Sequence, residues 1–143
     1  MCDKCDYMNL LETGGLGHTP NRLQVLKIIG DSHYPLSAQE ILEKFQQTQN
    51  VNRVTVYRIL DLLVAKKLIE RISAGDRSFR YGLAPNANHL PHSHFYCKEC
   101  GIMECLQPEC IRLNVKALEG TFSGLIERVE VRFDGVCKSC QGL

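Results

Sequence analysis

The chain has 143 residues and a net charge of +1, with 44% hydrophobic and 23% charged side chains. That composition suits a soluble folded protein and excludes a disordered or collagen-like one. No apolar run approaches the roughly 20 residues that a membrane-spanning helix needs. For a mass of 16.2 kDa, area scaling leaves about 7,500 Å² exposed, so an ordinary core can be buried. The N-terminal stretch MCDKCDYMNLLETGG puts two acids and one lysine ahead of its apolar residues, unlike a secretory signal. A cytoplasmic location is therefore expected.

The elements of the first half are helical. Thr19-Pro20 is a helix start, with Thr as N-cap and Pro at the first position. An apolar face from Leu23 to Ile29 then stops at Gly30-Asp31. Ser37 and Glu40 have the spacing of a capping box and open a second helix whose inner face is Ile41, Leu42 and Phe45. A third helix is predicted from about Asn52 to Lys67, with Val56, Ile59, Leu60, Leu63 and Val64 as its buried stripe. Arg53, Thr55, Tyr57, Arg58 and Asp61 are left outside. Two alternating runs, Leu68–Ile72 and Ser78–Tyr81, flank Ala74-Gly75-Asp76 and predict a β-hairpin. Three helices and a hairpin describe a winged helix-turn-helix, whose third helix would face the major groove of DNA. Residues 51–84 carry seven basic side chains, Arg77 at the hairpin turn among them, against three acidic ones. Arg53, Thr55, Tyr57, Arg58 and Arg77 are accordingly the candidate DNA contacts.

Ala84-Pro85-Asn86-Ala87-Asn88 is the candidate linker, dividing the chain into a winged-helix domain, 1–84, and a cysteine-rich, strand-patterned second domain, 85–143. In the second, His94–Cys97 and Ile102–Leu106 predict a strand pair, Val115–Phe122 a short helix and Leu125–Phe133 a further strand. A sheet this small cannot bury both faces alone, so a second copy of the chain is expected to complete it. The overall class is α+β.

Eight cysteines are the loudest signal. In a reducing compartment close-spaced cysteines mark metal or redox sites rather than disulfides. Cys97-x-x-Cys100 and Cys137-x-x-Cys140 can set four thiolates around one structural zinc ion. His89, His92 and His94 precede the first pair. In an extended strand His92 and His94 share a face and can chelate one ion. Cys105 and Cys110 read equally well as inert thiols, and Cys2 and Cys5 as part of a loose terminus.

Thr19-Pro20-Asn21-Arg22-Leu23, Leu36–Glu40, Thr55-Val56-Tyr57-Arg58-Ile59-Leu60, His92-x-His94-x-x-Cys97-x-x-Cys100-Gly101 and Cys137-x-x-Cys140 together resemble the ferric uptake regulator family. The resemblance runs from about Leu16 to Cys140. It implies a dimeric, metal-dependent transcription repressor in which Tyr57 and Arg58 contact operator DNA and the four cysteines hold structural zinc. It further implies a regulatory metal, Zn²⁺ or Fe²⁺, between the two domains on His92 and His94, with Glu70 and His89 matching additional ligands of zinc-sensing members. Three departures count against the iron-type pattern: Gly82 stands where an acidic ligand is usual, Cys105 replaces a glutamate, and no histidine lies near Val129. A ligand set containing Cys105 is softer and favours zinc. A peroxide- or iron-sensing regulator is the competing reading within the family. Outside it, a thiol oxidoreductase would want a Cys-x-x-Cys at a helix N-terminus, and a zinc hydrolase would want a His-Glu-x-x-His. The sequence shows neither, so no enzymatic activity is expected.

Overall fold

The computed structural model describes residues 6–86 and 89–142. Cys2, Cys5 and two linker residues, Ala87 and Asn88, lie outside them. Helix α1 (Tyr7–Thr13) is capped by the Asp6 side chain, which accepts from the Asn9 N–H. The sequence reading left this stretch unassigned, because seven residues are too few for a clear period. Helix α2 (Pro20–Asp31) starts where Thr19 accepts from the Arg22 N–H. Helix α3 (Ala38–Gln46) has both bonds of the predicted capping box, at 3.1 and 3.0 Å. Helix α4 (Arg53–Ala65) is capped by Asn52 through a 2.8 Å bond from the Thr55 N–H. It ends on Lys67, which takes φ +60°, so that the Leu68 N–H reaches back to the Leu63 carbonyl. That left-handed cap closes the helix two residues before the predicted end.

The hairpin follows as β1 (Ile69–Ser73) and β2 (Phe79–Leu83), antiparallel, with Ile69 opposite Leu83. Leu36, in the α2–α3 loop, exchanges two backbone bonds with Tyr81 and docks the helices on the hairpin. One buried cluster, including Leu26, Ile41, Phe45, Val56, Leu60, Leu63 and Ile69, unites these elements. Burying each such side chain stabilises by about 1.5–3 kcal/mol.

A second sheet has the order β4-β3-β5: β3 (His94–Cys97) pairs antiparallel with β4 (Met103–Cys105) and parallel with β5 (Arg132–Gly135). A 3₁₀ turn (Pro108–Cys110), α5 (Val115–Glu119) and α6 (Lys138–Gln141) complete the chain. A smaller cluster of Ile72, Ala74, Tyr96 and Met103 joins the hairpin to this sheet. At Gly75, in the hairpin turn, a Cβ would fall 2.6 Å from the Tyr96 ring, so only glycine lets the two approach this closely.

Two expectations need correction. The helix predicted over 115–122 stops at Glu119, where the Gly120 N–H bonds back to Lys116. The strand predicted over 125–133 begins only at Arg132. Residues 128, 130 and 132 instead turn their side chains to the open edge of β1. Arg128 donates to the Arg71 carbonyl at 2.7 Å, Glu130 accepts from the Ser73 N–H at 2.5 Å, and Arg132 donates to the Ser73 carbonyl at 3.0 Å. This strap satisfies the edge without a backbone ladder.

Candidate metal centres and nucleic-acid face

The parallel register of β3 and β5 sets Cys97 opposite Gly135, which brings the second cysteine pair beside the first. Cys97 closes β3, the turn to Cys100 is held by the Gly101 N–H on the Cys97 carbonyl, and Gly101 takes φ +79°. Cys137 caps α6 and Cys140 lies within it. The four sulfurs all lie within 4.8 Å of one another. Cys100 Sγ and Cys137 Sγ are 3.8 Å apart, and the edge of a tetrahedron with bonds of about 2.3 Å is also about 3.8 Å. Backbone N–H groups of Cys100 and Cys137 hold the Cys97 thiol down to about 6. The neighbouring Cys137 and Cys100 thiols push Cys140 up. One thiolate is favoured here, and four need a cation. The set suits structural zinc.

A second cluster contains His92, His94 and Cys105, whose donor atoms also lie within 4.8 Å. His94 and Cys105 are direct cross-strand partners on β3 and β4. The His92 and His94 rings are 4.7 Å apart, as the shared face predicts. His92 Nδ1 lies 3.0 Å from the Leu90 carbonyl, which can only accept. In the neutral ring Nδ1 therefore carries the proton and Nε2, buried and without a hydrogen-bond partner, is the nitrogen free to ligate. Burial, and then the charge of His92, push His94 down to about 4, so it stays neutral and able to ligate at neutral pH. Partial burial pushes the Cys105 thiol up, although the residue's outer face is exposed.

Glu70 and His89 line the same cavity, of about 120 Å³, but stand outside the close trio. His89 lies edge-on to His92, with centroids 5.3 Å apart. Burial pushes the Glu70 carboxyl up, and Arg128 and then His92 pull it back. His33, early in the α2–α3 loop, lines this cavity as well. The sequence reading missed it because a single histidine 56 positions before the others carries no spacing signal. Cys110 is exposed on the 3₁₀ turn and joins neither cluster.

On α4 the buried stripe is Val56, Ile59, Leu60 and Leu63, leaving Arg53, Val54, Arg58 and Asp61 exposed. Arg53 is held by Gln39 at 3.1 Å and lies over the Tyr57 ring at 5.8 Å. Tyr57 packs partly on the core, and Thr55 is half-buried. Arg77 is exposed at the hairpin turn with φ +68°.

A sequence profile described as the ferric uptake regulator family matches residues 13–121. The chain belongs to this family. Its members are metal-responsive transcription regulators and not enzymes. Among its relatives are the ferric uptake regulation protein of Bacillus subtilis, 27% identical over 87% of this chain and 85% of that one, and the peroxide-responsive repressor of Staphylococcus aureus, 28% identical over 92% and 86%. Among solved structures, the Helicobacter pylori ferric uptake regulator aligns with a TM-score of 0.76 and 23% identity, covering 99% and 97% of the two chains. A zinc uptake regulator complexed with zinc and DNA aligns at 0.64 with 21% identity, covering 97% of each. Both structures show the fold: an N-terminal winged helix followed by a small α/β unit. Among the described residues, no helix is long and apolar enough to cross a membrane.

Proposed function

We propose that this chain is a homodimeric, cytoplasmic repressor that binds operator DNA in response to zinc. The observation that carries the reading is the 120 Å³ cavity, because its donors come from both halves of the chain. His33 and Glu70 belong to the winged helix, while His89, His92, His94 and Cys105 belong to the second unit. The proposed division is 1–84 and 85–143. A metal held by His92, His94 and Cys105, with Glu70, His89 or His33 completing its shell, would tie the wing to the second unit. That would favour one orientation of the DNA-binding helices, by as much as the metal's differential affinity allows. The thiol among the imidazoles supports zinc over iron. The relatives named above supply the iron- and peroxide-sensing readings that compete with it.

Cys97, Cys100, Cys137 and Cys140 are proposed to hold a separate structural zinc. Cys137 does cap a helix, contrary to the expectation that neither cysteine pair would stand at a helix start. That helix has only four residues, however, and its thiols converge on the other pair rather than on open solvent. Arg53, Thr55, Tyr57, Arg58 and Arg77 are the proposed DNA contacts, joined by Val54. A second copy of the chain is supported by the apolar surface of the second unit, where Leu113, Leu118, Phe122, Leu125, Val129 and Phe133 are exposed. The chain also exposes 9199 Å², against about 7,500 Å² for a compact monomer of this mass.

The test starts from a duplex selected out of a random-sequence pool by the metal-loaded protein. His92→Ala should abolish metal-stimulated binding to that duplex while the four-cysteine zinc and the fold persist. Titrating the demetallated cavity with zinc, ferrous iron and manganese should give DNA binding at the lowest free concentration with zinc. Wild-type metal response in the His92→Ala protein would overturn the site, and a lower threshold for ferrous iron would overturn the metal.

A further inference from the structure

Arg128 stands beside the sensing cavity without being one of its donors. Its guanidinium is held at three points: the Arg71 carbonyl at 2.7 Å, the Glu130 carboxylate at 3.1 Å and the Glu70 carboxylate at 3.8 Å. The first two contacts fix its position. The third is the loosest, and it is the one made to a cavity residue. Glu70 is the better buried member of that pair and lines the cavity that His92, His94 and Cys105 share. Its carboxylate therefore meets the fixed guanidinium at 3.8 Å and lines the same cavity as the three metal donors.

A cation entering the cavity meets two consequences of this arrangement. Glu70 is already partly neutralised by Arg128, so it offers the metal less charge than a free carboxylate would. The guanidinium also places its own positive charge 3.8 Å from a cavity-lining carboxylate, in an environment less screened than bulk water. We propose that Arg128 is a built-in cation that competes with the regulatory metal for Glu70 and so sets the metal concentration at which the cavity fills. This rests on the reading of Glu70 as a ligand given above. Arg128 acts through Glu70 and is a positioning residue. By reciprocity, metal at Glu70 weakens the hold of Arg128 on that carboxylate, which leaves β1 tied to the 128–132 segment by fewer bonds.

The experiment measures zinc affinity at the cavity by competition with a chromophoric chelator, in protein that retains its structural zinc. Arg128→Gln, and Arg128→Met as a second neutral variant should the first fold poorly, are expected to bind zinc about five- to tenfold more tightly than wild type at low ionic strength. The gain should shrink as salt is added. Arg128→Lys, which keeps the charge, should stay near wild type. In a Glu70→Gln background the gain from Arg128→Gln should largely disappear. Folding is followed by thermal melting and by the zinc content of the four-cysteine site. Neutral variants that bind zinc as wild type or more weakly, beside a weakened Glu70→Gln, would overturn this proposal alone. Glu70→Gln with wild-type affinity would overturn the ligand reading of Glu70 and this proposal with it.

Discussion

At the scale of single residues, the exposed face of α4 is not uniform. Arg58 is free of described partners, whereas Arg53 is already engaged by Gln39 and by the Tyr57 ring. Val54 sits between them, 54% exposed, with methyl groups suited to a thymine methyl. Arg58→Ala is expected to weaken binding to the selected duplex by about 1–3 kcal/mol per half-site and to relax its sequence preference. Arg53→Ala should cost less, because a DNA contact there must first break the Gln39 bond. Affinities of both variants on selected and random duplexes, measured across salt, decide it: equal losses for Arg58→Ala on the two DNAs would reduce it to a phosphate contact. Arg58 was legible in sequence because it falls outside a clean 3.6-residue stripe. The restraint on Arg53 was not, since Gln39 lies 14 positions away on another helix.

At the scale of elements, starts were easier to read than ends. Thr19, Ser37 and Asn52 announce their helices by side-chain chemistry within three residues. The end of α4 rests on a backbone choice at Lys67 that no composition rule marks, because lysine in a left-handed conformation is uncommon. Lys67→Gly should therefore stabilise the protein by about 0.5–1 kcal/mol, despite the extra freedom glycine brings to the unfolded chain. Denaturant melts of the two proteins check this, and a destabilised variant would contradict it.

The strap of residues 128–132 was illegible for a different reason. Its alternation predicts a strand, but its partner edge, on β1, is 57 to 59 positions away and is met by side chains. Burial alone would push the Glu130 carboxyl up, yet bonds from Ser73 and Arg128 override that and leave it below its ordinary 4.5. A depressed carboxyl supplies stability that is complete above its unfolded value and is lost as pH falls through the lower folded one. Wild type should thus be more stable than Glu130→Gln near neutral pH, and the gap should narrow as pH falls below the ordinary glutamate value and close once it is below the folded one. A gap independent of pH would mean that the carboxylate charge is irrelevant to the strap.

For the whole molecule, the long-range assembly of the four cysteines is the part the sequence supported best. Two Cys-x-x-Cys motifs can set four thiolates around one ion, although the 36 residues between them exceed the usual spacing and leave two separate redox or idle thiol pairs as the alternative. What the spacing does not reveal is that parallel pairing of β3 and β5 delivers them to one place. Since structural zinc contributes on the order of 10 kcal/mol to folding, Cys100→Ser should lose the proposed zinc, the proposed dimer and most thermal stability. Metal analysis with sedimentation checks it, and a stable zinc-loaded dimer would refute the site. The proposed sensing cavity was legible from His89, His92 and His94, from Cys105 and from Glu70 on β1, but not from His33. His33 enters from the other half of the chain, and its approach depends on the Leu36–Tyr81 bridge that docks the loop on the hairpin.

The strap has one more consequence, for how such a protein behaves in a crowded solution. On its outer side β1 offers hydrogen-bonding groups to any extended chain that comes near, and such an edge is a template for intermolecular pairing. Arg128, Glu130 and Arg132 occupy those groups with charged side chains instead of a further strand, so the edge is filled by something another molecule cannot extend. The same three residues that tie the wing to the second unit therefore also guard it against sheet-to-sheet aggregation, and a variant lacking them would be sticky before it was inactive.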